Sequence, residues 1–220
     1  MKTKAFLAEF IGTFALIFVG AGSIAVNHYN GGDTQLLGIA LAHGLTIAVM
    51  VSATAAISGG HLNPAVTIGL LSAGYIDLKN ATGYVLSQLA GAALAALLLG
   101  IVIPISSVSA VNLGIPALGV GVSPASGIIM EGITTFFLVF VVMGTAVDSR
   151  APKVGGLFIG LTVTLGILVA GPITGGAMNP ARYFGPALVS GNFSEFWVYL
   201  IGPLLGGVCA ALVYKKGLSA

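Results

Sequence analysis

A chain of 220 residues, 57% of them hydrophobic and only 6% charged, cannot cover a water-soluble surface, since a soluble domain carries about 25% charged residues. The formal net charge of +2 supplies no basic face for phosphates, which excludes a nucleic-acid partner, and the single cysteine, Cys209, can form neither an internal disulfide nor a thiolate metal site. With a mean hydropathy of +1.07 the chain reads as an integral protein of the lipid bilayer.

Lys2 and Lys4 lead into an apolar run that continues for a full span and carries Glu9, unlike the short core of a cleaved signal peptide, so the first helix, 5–27, is retained. The uncharged block 34–76 is too long for one span, because a continuous helix of that length would reach roughly 64 Å. Gly59-Gly60 and Asn63-Pro64 divide it into a span at 36–57 and a short helix at 64–73. The short piece cannot cross a bilayer and is read as re-entrant. Further spans are expected at 80–104 and 125–147. The block 154–181 divides like the earlier one, into a span at 154–170 and a short helix after Asn179-Pro180, and a last span follows at 195–215. The expected fold is an all-α membrane protein of six transmembrane helices and two re-entrant half-helices, in one domain over 1–220.

With the N-terminus inside, Lys2, Lys4, Lys79, Arg150, Lys153, Lys215 and Lys216 all fall in cytoplasmic segments, and Arg182 alone does not. This bias sets both termini in the cytoplasm. The compact length fits a cell's inner (plasma) membrane, with a vacuolar or other organelle membrane as the alternative. The two halves, about 1–110 and 120–220, repeat one another. Glu9, Thr13, Leu16 and Phe18 match Glu131, Thr135, Leu138 and Phe140 at identical spacing, and Asn63-Pro64-Ala65 matches Asn179-Pro180-Ala181. Three spans per half is an odd number, so the second half is inverted, an arrangement that puts a working site near the midplane between repeats. Small residues four apart, such as Ala8/Gly12 and Gly156/Gly160, suit close helix packing.

Each Asn-Pro-Ala starts a helix, for Asn caps well and Pro suits the first helical position. A helix N-terminus carries partial positive charge and unpaired N–H donors, and the inversion aims two such ends at one another. Non-helical backbone at this depth must line a wet cavity or be buried in protein. Gly59-Gly60-His61 and Gly175-Gly176-Ala177 are therefore candidates to present carbonyl oxygens to a pore, and the Asn63 and Asn179 amides can donate to a passing molecule. Two positive helix ends repel cations and protons and let a neutral dipole pass.

The runs Ala8-Glu9-Phe10-Ile11-Gly12-Thr13, Ser58-Gly59-Gly60-His61-Leu62-Asn63-Pro64-Ala65-Val66-Thr67 and Gly176-Ala177-Met178-Asn179-Pro180-Ala181-Arg182 resemble those of the aquaporins, the major intrinsic proteins, and the likeness covers essentially the whole chain. The resemblance implies an hourglass pore in each subunit of a homotetramer, no enzymatic activity and no cofactor or metal. It also makes Arg182 the arginine of an outer selectivity filter, and by spacing from the two Asn-Pro motifs the other filter positions are His43, Ile167 and Gly176. This quartet resembles that of plant tonoplast intrinsic proteins that pass ammonia as well as water, although the connecting loop 105–123 lacks the histidine those relatives place there. Glycerol facilitators of the family usually carry Asp after the arginine, where this chain has Tyr183. Water and small neutral solutes are thus the expected cargo.

Glu9 and Glu131 are intramembrane carboxylates. They could relay protons in a coupled transporter of a small solute, whereas the family resemblance makes them braces for the re-entrant loops. His61 either orients loop backbone or lines the inner half of the pore. Tyr84, Gln88 and Gly91 match the family's third-helix pattern as packing residues, and His28 reads as an exposed loop residue. No nucleophile motif supports an intramembrane hydrolase.

Overall fold

The computed structural model describes residues 2–151 and 154–219, so Lys153, counted in the charge bias, lies outside the described residues. Six long apolar helices form the body of the protein: α1 (Lys2–Tyr29), α2 (Gln35–Ser58), α4 (Leu78–Val102), α6 (Pro124–Val142, prolonged by a π-helical turn, Met143–Val147), α7 (Gly155–Thr174) and α9 (Phe196–Gly217). Two short helices, α3 (Pro64–Ser72) and α8 (Pro180–Ser190), follow the second and fifth spans. A further short helix, α5 (Ile105–Ala110), lies within the connection 105–123, which the sequence alone marks only as loop, and it packs on α1.

Local chemistry fixes the ends. Asp77 caps α4 by accepting from the Asn80 N–H, and Ser123 caps α6 with Pro124 at the first helical position. α2 and α7 stop at Gly59 and Gly175, whose left-handed φ values of 89° and 83° let their N–H groups turn back to the Ala55 and Gly171 carbonyls. α7 thereby reaches Thr174 rather than the expected 170, with Pro172 in its last turn.

The packing is nearly two-fold. α1 packs on α2 and α4 as α6 packs on α7 and α9, and α2 and α7 meet across the seam. The short helices cross over: α8 packs mainly on α4 and α3 mainly on α9, so each half-helix is held chiefly by the last span of the other half. At the α2–α7 seam a Cβ on Gly44 would press on the Gly160 carbonyl, and one on Gly160 would press on the Gly44 carbonyl. The backbones therefore approach closely there, with the Thr164 hydroxyl over Gly44 donating across the seam to the Ala40 carbonyl. The outer faces carry exposed apolar side chains, among them Leu45 and Val49 on α2 and Leu161 and Leu165 on α7, as a lipid-facing surface requires.

Candidate functional site

The half-helices begin where the sequence motifs predict. Asn63 accepts the Ala65 N–H on its Oδ1 at 2.8 Å, and Asn179 accepts the Ala181 N–H at 3.0 Å. Each Asn also reaches across to the other repeat. Asn63 Nδ2 donates to the Met178 carbonyl at 2.8 Å, and Asn179 Nδ2 donates to the Leu62 carbonyl at 3.0 Å. An amide has two N–H donors, so each asparagine ties the opposing loop with one and keeps a second. Leu62 and Met178, at φ of 51° and 50°, make the sharp turns that aim the two carbonyls at these amides.

The loops entering those turns are held from behind. Glu9 Oε1 accepts from Ser58 Oγ at 2.6 Å and the His61 N–H at 2.9 Å, and its Oε2 accepts from the Leu62 N–H at 2.6 Å and Gln88 Nε2 at 2.8 Å. Glu131 repeats the pattern, accepting from Thr174 Oγ1 at 2.6 Å and the Ala177 and Met178 N–H groups at 2.9 and 2.7 Å. Both carboxylates have no exposed surface. Burying such a group is costly unless its oxygens are hydrogen-bonded, and here they are. Tyr84 Oη donates to the Ser58 carbonyl and Tyr199 Oη to the Thr174 carbonyl, each at 2.8 Å. Gln88 breaks the symmetry, because Pro203 stands at the matching place on α9.

In front of these braces a narrow cavity runs between the two halves. Gly60, His61 and Asn63 line it from the first half, and Gly176, Ala177 and Asn179 from the second. His43, Ile167 and Arg182 also line it, so the four residues spaced as a filter converge on one space. Gly59 and Gly175 act as helix caps and do not line it; Pro64, Ala65, Pro180 and Ala181 lie in the half-helices behind it, and Glu9 and Glu131 stand behind the loops. Its remaining wall is apolar and includes Leu16, Leu138, Val66 and Met178. Leu16 and Leu138 are partners in the sequence repeat, so the symmetry that marked them could have assigned them to the wall.

At the mouth, Arg182 Nε donates to His43 Nε2 at 3.1 Å, and His43 Nδ1 donates to the Ile39 carbonyl at 2.8 Å. The carbonyl can only accept and the guanidinium can only donate. These two contacts together require a neutral imidazole with its proton on Nδ1. Arg182 is 2% exposed, and its Nη1 finds no protein partner. Opposite, a Cβ on Gly176 would lie 3.2 Å from Ile167 Cα, and its φ of 59° also favours glycine, so the backbone itself forms that wall. His61 Nδ1 lies 3.1 Å from Thr67 Oγ1, which in turn donates to the Asn63 carbonyl. His61 thus both lines the cavity and supports the loop. Among the described residues no group of three His, Cys, Asp or Glu side chains converges as a metal site would.

Six spans, two half-helices meeting tip to tip and one narrow cavity threading between them define a transmembrane channel of the aquaporin type. The profile of the family described as "Major intrinsic protein" matches residues 1–214, and the chain belongs to that family. "Aquaporin TIP4-4" of Zea mays is 48% identical over 96% of this chain and 85% of its own. "Probable aquaporin TIP2-1" of Oryza sativa subsp. japonica is 47% identical over 97% and 87%, and "Aquaporin NIP1-1" of Arabidopsis thaliana is 42% identical over 95% and 72%. The crystal structure of an aquaglyceroporin from Plasmodium falciparum superposes with a TM-score of 0.90, at 28% identity, covering 99% of this chain and 97% of that one. The protein is therefore a passive channel for water and small solutes, and not an enzyme.

One expectation is corrected. The TIP relatives are tonoplast intrinsic proteins, which reside in the vacuolar membrane, and this overturns the assignment to a plasma membrane. Charge bias orients a chain across whichever membrane receives it and carries no signal for which membrane that is. The multi-pass character stands.

Proposed function

We propose that the channel passes water and ammonia and excludes ions and protons. In this reading His43, Ile167, Gly176 and Arg182 form the selectivity filter, and Asn63-Pro64-Ala65 with Asn179-Pro180-Ala181 form the pore midpoint. Backbone at Gly60, His61 and Ala177 guides solute between them, while Glu9 and Glu131 brace the loops. The observation that carries the proposal is the His43–Arg182 contact at 3.1 Å facing the apolar Ile167. The imidazole lone pair is spent on the arginine, the free Nη1 of Arg182 offers a donor, and Ile167 offers no polar atom, so a small neutral acceptor such as ammonia meets one donor and little bulk. A proton-coupled transporter would need Glu9 and Glu131 free to exchange protons with the solute path; their oxygens are occupied, and they lie off the cavity. Assembly as a homotetramer is proposed from the family resemblance, and chemical cross-linking in native membranes tests it.

The channel test uses purified protein in liposomes. Stopped-flow light scattering after an osmotic step should give fast shrinkage with low activation energy, lost in Asn179→Asp. A lumenal pH dye should report faster alkalinisation after an ammonia jump than in empty liposomes, and His43→Phe with Ile167→His should remove that excess. Ammonia entry at the empty-liposome rate beside fast water flux would leave a water channel only. Flux that moves only with an ion gradient would replace the channel by the transporter.

A further inference from the structure

We infer that Gly20, on α1, is a specificity-determining position of this pore, acting through His43. The inference rests on the filter reading above and adds a residue that its spacing does not mark. Gly20 lies one helical turn beyond Leu16, which lines the cavity, so both face the same side of α1. A Cβ built on Gly20 would stand 2.5 Å from His43 Cδ2 and 2.6 Å from His43 Nε2. The atom it would strike is the one that accepts from Arg182 Nε. Nor can the ring retreat cheaply. It is buried, and its Nδ1 is held by the Ile39 carbonyl one turn back on α2.

The missing side chain at position 20 is thus the space in which the imidazole lies. With any larger residue the ring must turn toward the pore, give up one of its two hydrogen bonds, or do both. Each outcome changes the filter in a definite way. A ring swung inward narrows the passage, and a ring that releases Arg182 leaves the guanidinium without its one side-chain partner. Gly20 therefore acts as a positioning residue, setting pore width by where it lets His43 rest.

The test is a second-site cycle on full-length protein in liposomes. Osmotic water permeability and urea permeability are measured for wild type, Gly20→Ala, His43→Ala and the double variant, with protein per vesicle quantified. Gly20→Ala should lower water permeability about tenfold, and Gly20→Ala/His43→Ala should return it to within about twofold of His43→Ala alone, because the overlap has gone. A packing role for Gly20 against α2 would leave the double variant as poor as the single, and that result would overturn the inference. Wild-type permeability in Gly20→Ala would overturn it too. If His43→Ala left both water and urea permeability unchanged, the filter reading itself would fall, an outcome separate from the first two. Should Gly20→Ala not fold, the double variant still decides: it must fold and conduct, and failure to do so sinks the proposal.

Discussion

Replacing each buried carboxylate by its amide should separate the two halves of the protein. In Glu131→Gln the amide oxygen can still accept from Thr174 Oγ1 and the Ala177 N–H, but the new NH2 group faces the Met178 N–H, donor against donor. A charge-assisted hydrogen bond is worth about 1.5–3 kcal/mol, and a buried donor left unpaired costs about 1–3 kcal/mol, so a loss of roughly 3–5 kcal/mol follows. Glu9→Gln puts its NH2 against the Leu62 N–H in the same way, and it also faces Gln88. Gln88 Nε2 also donates to Thr67 Oγ1, so turning that amide over would pair its oxygen with the new donor only by breaking this bond, and one further buried donor is left unpaired whichever way Gln88 turns. Glu9→Gln should therefore be the harsher change by about 1 kcal/mol, or about 2–4 °C in Tm for a chain of this size. Thermal unfolding in detergent, followed by circular dichroism, measures the gap. Equal or smaller loss in Glu9→Gln would refute the reasoning, and wild-type stability in both variants would mean that the carboxyl groups do not brace the loops.

Two further predictions concern other parts of the protein. Gly160→Ala should cost about 1–3 kcal/mol in the same unfolding assay, because the added methyl would lie 2.6 Å from Ala48 Cβ and forces α2 and α7 apart; unchanged Tm would mean that the seam is loose. At the solvent-exposed end of α6, Arg150 donates to Asp148 and to the Leu218 carbonyl, both at 2.9 Å, and holds the Asp148 carboxyl well below the usual carboxylate range. A depressed folded pKa gives a contribution that is full above the unfolded value, near pH 4, and fades only as pH falls toward the folded one. Hydrogen exchange across 148–151, corrected for intrinsic rate, should thus match between pH 7 and 5 and rise in Asp148→Asn at pH 7. Loosening of the wild type by pH 5 would contradict the sign.

Much of this architecture is local in origin and could be read from the chain alone. Length and hydropathy dictate helices, since a backbone in hydrocarbon must satisfy its own hydrogen bonds. Asn63-Pro64 and Asn179-Pro180 mark the half-helix starts because capping involves residues only two or three apart. The repeat of Glu9 and Glu131 pointed to matched roles, and the four positions that the family resemblance marks as a filter line one cavity.

The tertiary structure decided the rest, because those contacts join segments whose separation no local period encodes. His43 and Arg182 are 139 residues apart, and only the α2–α7 seam and the lodging of α8 beside α4 bring them to 3.1 Å. The crossing of α3 to α9 and α8 to α4 is likewise silent in the sequence, as is the asymmetry that Gln88 introduces behind one loop and not the other. Gly20 is the clearest case. In the sequence it is one glycine among 33, and it gains meaning only when the packing of α1 against α2 places a histidine ring where its side chain would be. Periodicity tells which face of a helix is buried; which atom lies against which is fixed when the faces close.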